Sequence, residues 1–136
     1  MKKTLKKGIA STAVEQGFLL GCSEDIYLID RVSIAPCKYS KATEFVVDAQ
    51  LANEFIAKWS KEGVLFCGVV HSHVGGSTVF SEEDQRFVKM LHENFNLPFI
   101  WFGLISGQDG QNIMILKMVH KGFADLNSLS SCKFNL

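Results

Sequence analysis

No stretch of these 136 residues is long and apolar enough to cross a bilayer; a spanning helix needs about 20 apolar residues in a row. The chain also lacks the apolar segment of a secretory signal near its start, so the expected compartment is the cytoplasm. Fourteen basic and fourteen acidic side chains cancel, which removes the electrostatic footprint of a nucleic-acid binder. Lys2, Lys3, Lys6 and Lys7 do cluster, but such a run reads first as a solvated, frayed terminus and only second as a binding patch. Cys22, Cys37, Cys67 and Cys132 form no C-x-x-C pair, which excludes zinc-ribbon and thioredoxin-type motifs; reduced, structural thiols are expected. There is no H-E-x-x-H helix, no phosphate-binding glycine loop, no internal repeat and no linker. One domain over residues 1–136 follows, with 1–7 and 121–136 expected to be loosely held.

What is present is a sequence of short periodic segments. Lys6 to Gln16 has a weak helical stripe. Gly17 to Cys22 reads as a strand, with Asp25 to Ala35 as its hairpin partner and Ser23-Glu24 near the turn. Pro36 to Ala42 reads as a loop and Thr43 to Asp48 as a short strand. Ala49 to Glu62 is an amphipathic helix with Leu51, Phe55, Ile56 and Trp59 on one face, stopped by Gly63. Val64 to His73 is an apolar, buried strand. Ser81 to Phe95 is a second helix, with Phe87, Val88, Leu91 and Phe95 in register. Pro98 to Ser106 and Asn112 to His120 form a hairpin around Gly107-Gln108-Asp109-Gly110. The fold class is therefore α/β or α+β: a mixed sheet flanked by helices.

One stretch carries chemistry. The apolar strand ends in His71-Ser72-His73; alternation puts both imidazoles on one face and Ser72 on the other. Alone, such a triplet is commonly incidental. Ser81-Glu82-Glu83-Asp84 follows, and alone it is the reciprocal capping pattern of a helix start. Together they allow a third donor, Asp84, to return to the strand end beside two histidines. Two N donors and one O donor with a position left open describe a catalytic zinc site. The same alternation places Cys67 on the histidine face, but about 13 Å from His71 along the strand, too far to share an ion. His92 and His120 read as surface or core-edge residues, and Phe99, Trp101 and Phe102 as core.

His71-Ser72-His73, seven residues, Ser81, two residues and Asp84 match the H-S-H-x7-S-x-x-D signature, and the chain resembles the JAMM (MPN-type, JAB) zinc metalloproteases, in particular compact bacterial members. The likeness runs from about Ala13 to His120 in the order of elements. It implies a curved mixed sheet of the JAMM/MPN type (cytidine-deaminase-like), Zn2+ held by His71, His73 and Asp84, and Ser81 as a helper. It also implies a glutamate base before the first strand, in a stretch like E-x-x-G-x-x-x-G. Here Glu15-Gln16-Gly17-Phe18-Leu19-Leu20-Gly21 has the right order, with Glu15 one residue nearer both glycines; strict alignment would put Val14 in its place. Val74 stands where the family usually has proline.

The resemblance implies a peptidase or isopeptidase in which Glu15 moves the proton of a zinc-activated water and Ser81 steadies the oxyanion. The expected substrate is the tail of a ubiquitin-like or sulfur-carrier protein, cut after its C-terminal glycine, with an E1-like activating enzyme as a further partner. Such a tail would add as a strand at a sheet edge, since little chain is left for loops that grip a large partner. The alternatives are an inactive MPN-type scaffold that binds a protein, and an unrelated metal-dependent hydrolase. Neither nucleic acid nor membrane is an expected partner.

Overall fold

The computed structural model describes residues 17–35, 37–40, 45–47, 49–73, 78–108 and 111–135. Their strands are β1 (Gly17–Cys22), β2 (Arg31–Ile34), β3 (Cys37–Ser40), β4 (Phe45–Val47), β5 (Leu65–His73), β6 (Phe99–Gln108), β7 (Gln111–His120) and β8 (Cys132–Asn135). The helices are α1 (Ala49–Lys61) and α2 (Glu82–Asn94). Six strands form one sheet in the order β2-β1-β5-β6-β7-β8, and β3-β4 form a separate pair. Only β5 and β6 run parallel, and α2 is the crossover between them, as a parallel pair requires. The expected mixed sheet with helices is the observed α+β architecture.

Both faces of the sheet are apolar. Leu19, Phe66, Val69, Ile100, Phe102, Leu104, Ile115 and Val119 face the helices, packed with Trp59 of α1 and with Val88 and Leu91 of α2. Phe18, Leu20, Cys67, Val70, Phe99, Trp101, Ile105 and Met114 line the opposite face. Burial on both sides explains why β5 and β6 read as continuous apolar runs rather than alternating ones. On α1 the inward stripe is Ala52, Phe55, Ile56 and Trp59; Leu51, expected inside, is half exposed at 50%. Gly63 ends that helix at φ 80, and the Val64 N–H returns to the Trp59 carbonyl at 2.9 Å, a glycine-dependent C-terminal turn.

Several sequence expectations change. The strand that pairs with β1 is shorter than the 25–35 segment: it runs Arg31–Ile34, flanked by the Asp30 and Ala35 N–H groups bonding the Gly21 and Gly17 carbonyls. Residues 25–30 instead turn across the opposite face, where the Ile26 carbonyl accepts the Trp101 indole N–H at 2.9 Å. Cys37–Ser40, expected as loop, is a strand paired with β4; its composition gives no β signal, so pairing rather than propensity makes it. The tail is not loosely held throughout. Leu126 is 0% exposed and β8 pairs with β7 from Leu116↔Cys132 to Ile113↔Asn135. The proposed first helix, Lys6 to Gln16, lies outside the described residues. No helix among those described is long and apolar enough to cross a membrane.

Candidate metal centre

The geometry starts with an irregularity in β5. Leu20 pairs with Gly68, but Gly21 pairs with Phe66, so β5 carries one extra residue there, a bulge. Phe66 and Val69, three apart, therefore point to the same helix-side cluster, while Cys67 turns to the other face. This overturns the expectation that Cys67 shares the histidine face: alternation across residues 66–69 is broken by the bulge. Cys67 meets Cys22 there, the two sulfurs 2.8 Å apart, and both thiols are buried. Burial pushes both thiol pKa values up. Beyond the bulge regular alternation resumes, and His71 faces the helices with its ring 5.6 Å from that of Phe102.

His71 and His73 stand on one face with ring centroids 4.5 Å apart. The third residue of α2, Asp84, meets them: its Oδ1 is 3.0 Å from His71 Nε2 and its Oδ2 3.8 Å from His73 Nε2. One donor atom from each residue lies within 4.8 Å of the others. The capping position of Asp84 and its place beside the histidines are one arrangement. The Ser81 N–H donates to Asp84 Oδ2 at 2.8 Å, and the Asp84 N–H donates to Ser81 Oγ at 3.2 Å. This capping box fixes the carboxylate rotamer and so aims the carboxylate at the histidines.

The electrostatics suit a cation. Burial works to raise the Asp84 pKa, but the His71 and His73 imidazoles and the Ser81 N–H outweigh it, and the net direction is down. The carboxylate is thereby kept ionised. His71 Nε2 is buried and makes no hydrogen bond, although it sits 3.0 Å from Asp84. The imidazole and carboxylate thus face each other without a well-formed hydrogen bond, and a metal ion between these groups would take up both donor atoms. The donor set of two imidazoles and one carboxylate fits a divalent transition metal such as zinc. Among the described residues this is the one such cluster.

The structure thus brings together His71, His73 and Asp84, with Ser81 adjacent. Glu15, the expected base, and Val74 lie outside the described residues. His120 is exposed, as expected, but His92 is buried at 7%. Two neighbours of the site had no sequence signal. Ser106 pairs with His73 across the parallel strands; it is 0% exposed and its hydroxyl has no hydrogen-bond partner. Its place beside His73 depends on strand register, which the sequence does not display. Asn127 hydrogen-bonds the backbone of Phe80, just before Ser81, from a serine-rich segment without periodicity.

A sheet of this topology with a His-His-Asp cluster at the end of its inner parallel strand defines a metal-site fold of the JAB type. The model of prokaryotic homologs of the JAB domain matches residues 12–118, and the chain belongs to that family. The solution structure of protein DSY2949 from Desulfitobacterium hafniense is similar with a TM-score of 0.68, covering 97% of this chain and 87% of that one. At 18% identity that likeness is one of fold. No curated protein matches the chain.

Proposed function

We propose that this protein is a zinc-dependent peptidase or isopeptidase that hydrolyses the amide bond after the C-terminal glycine of a ubiquitin-like or sulfur-carrier protein. The observation that carries the reading is the convergence of His71, His73 and Asp84, with a buried imidazole nitrogen lacking any other partner. Bound zinc would polarise the scissile carbonyl and acidify a water. Glu15, as in the family pattern, would take the proton of the attacking water and deliver it to the leaving amine. Ser81 Oγ accepts the Asp84 N–H, which leaves the serine proton to donate to the carbonyl oxygen as charge builds there.

A tail that adds as a strand at a sheet edge would do so away from the strand that carries the histidines. β5 is an inner strand, paired on both sides, so a tail cannot add to it as an edge strand. The tail would instead cross the strand ends, where residues without side chains pass closest to the buried ligands. A recess of about 300 Å3 lined by Thr78, Ile113, Ile115, Lys117 and Asn127 gives such a segment room. Ile113 pairs with Ser106 and Ser106 with His73, so the recess lies roughly two strand spacings, ~10 Å, from the histidines. An adenylating enzyme that handles the same tail is the expected partner.

The test has two arms. Purified protein should hold close to one zinc per chain; His73→Ala should lose it and His92→Ala keep it. Zinc-loaded protein should also release a short peptide fused to the last glycine of a carrier from the same genome, read by mass spectrometry and abolished by chelator. Glu15→Gln should retain zinc and lose most of this activity. Zinc binding without a chelator-sensitive cut across several carriers would place the protein-binding scaffold ahead.

A further inference from the structure

The segment after β7 is tied to the start of α2 by side-chain hydrogen bonds. The Asn127 amide pairs with both backbone groups of Phe80: its Oδ1 accepts the Phe80 N–H at 2.9 Å and its Nδ2 donates to the Phe80 carbonyl at 2.9 Å. The Leu126 N–H donates to Gln85 Oε1 at 3.2 Å, and Gln85 Nε2 donates to Asp125 Oδ1 at 3.2 Å. Beneath them Lys117, 5% exposed, donates from Nζ to the carbonyls of Leu126 at 2.6 Å and Leu129 at 2.9 Å. Its ammonium also lies 5.2 Å from the centre of the Phe80 ring.

The Phe80 carbonyl and the Ser81 N–H belong to one peptide group, which is planar and has its C=O and N–H pointing in opposite directions. Asn127 holds the carbonyl end of that plane. The other end donates to Asp84 Oδ2 at 2.8 Å. Any rotation of the plane that broke the Asn127 bond would also turn the Ser81 N–H away from the carboxylate facing His71 and His73. Hydrogen bonds linked through one peptide also polarise each other in the same sense.

We propose that Asn127 is a positioning residue for the metal site: it locks the Phe80–Ser81 peptide so that Asp84 is presented to the metal. The inference rests on the metal-site reading above. It concerns residues beyond the 12–118 stretch that the family model matches, so this chain supplies the brace from its own tail.

The test is metal affinity, measured on metal-free protein by competition with a chromophoric zinc chelator. Wild type, Asn127→Ala and Ser128→Ala are compared. Ser128 Oγ bonds the Asp125 carbonyl at 2.7 Å in the same turn, whereas the Phe80 peptide groups are held by Asn127, so loss of Ser128 reports on a merely structural role. Asn127→Ala should bind zinc about 10-fold more weakly, the lower end of what loss of a residue supporting a ligand costs. Ser128→Ala should bind as wild type does, with a similar metal-free melting temperature for the two variants. Cobalt-substituted Asn127→Ala should show an altered visible absorption band. If Asn127→Ala fails to fold, Gln85→Ala removes the neighbouring pair of bonds and should weaken zinc binding in the same direction. Affinity of the folded variant within twofold of wild type, or an equal loss in Ser128→Ala, overturns the proposal. A wild-type protein that binds no metal instead overturns the site reading on which it rests.

Discussion

Asp84 shows how one side chain can satisfy two sequence signals. As the third residue of α2 it closes a capping box with Ser81, and the same carboxylate lies against both histidines. The capping pattern is therefore no competitor to a ligand role; it is the device that holds the carboxylate beside the histidines. His92 is the contrasting case, a histidine without a visible chemical role. It is buried, and neither ring nitrogen makes a hydrogen bond of good geometry. Burial holds its pKa below the ordinary value; the Val119 carbonyl pulls it up, and the positive Lys121 and nearby His120 act in the same direction as burial. The folded state thus prefers the neutral ring, and the unfolded state binds the proton more readily. Stability from this residue is complete above the unfolded value of about 6.5 and is lost as pH falls from there through the lower folded value. His92→Leu should shrink the drop in urea midpoint between pH 7.5 and pH 5.5 relative to wild type. An unchanged drop would show that other groups carry the acid sensitivity.

At the scale of elements, β5 does most to build the site, and its bulge decides which residues reach it. Gly68 makes that bulge tolerable beside β6. A Cβ there would run into the Trp101 carbonyl oxygen and sit 2.8 Å from Trp101 Cβ, closer than packed atoms come. Relief would need the parallel β5–β6 pairing to open, the same pairing that sets His73 beside Ser106. Gly68→Ala should cost about 3 kcal/mol, the upper part of the usual range for forcing atoms into a packed interior, read as a lower denaturant midpoint. Gly107→Ala, whose Cβ would meet only Asn112 Oδ1 at 3.5 Å, serves as the control and should change little. Elements with strong internal period were legible: α2 runs Glu82–Asn94 with Val88 and Leu91 buried, and β6 and β7 pair in full register. What was not legible was made by pairing. Cys37–Ser40 has no apolar pattern of its own, and β8 is exposed at every position, so backbone bonds to a neighbour define both. The bulge at Cys67 has no sequence signal either, since a run buried on both faces gives no alternation in which a slip would show.

For the whole molecule, the candidate site was legible because its residues sit close in sequence. His71, His73 and Asp84 come from one strand end and the helix that follows it, so spacing alone predicted their meeting. The brace that steadies them was not legible, because Asn127 reaches Phe80 from 47 residues away through contacts that only the folded sheet creates. This division has a consequence for the tail. Residues 121–136 supply Leu126, which is 0% exposed in the helix-side core, the strand β8 and the two carbonyls that satisfy the buried Lys117 ammonium. Burial holds the Lys117 pKa below its ordinary value, and removing its acceptors would leave that charge with fewer partners. A chain ending at His120 would lose the apolar burial of Leu126, worth about 2–5 kcal/mol by analogy with truncating a buried leucine, and expose the outer edge of β7. Domains of this size have only about 5–15 kcal/mol in hand. The truncated chain should therefore unfold at a clearly lower urea concentration than the full one, and its zinc affinity should fall by at least as much as that of Asn127→Ala. A truncated protein with an unchanged midpoint and unchanged zinc affinity would show that the 12–118 stretch stands by itself and that the tail is an accessory. A lowered midpoint with full zinc affinity would separate the two roles, leaving the tail as a structural support that has no bearing on Asp84.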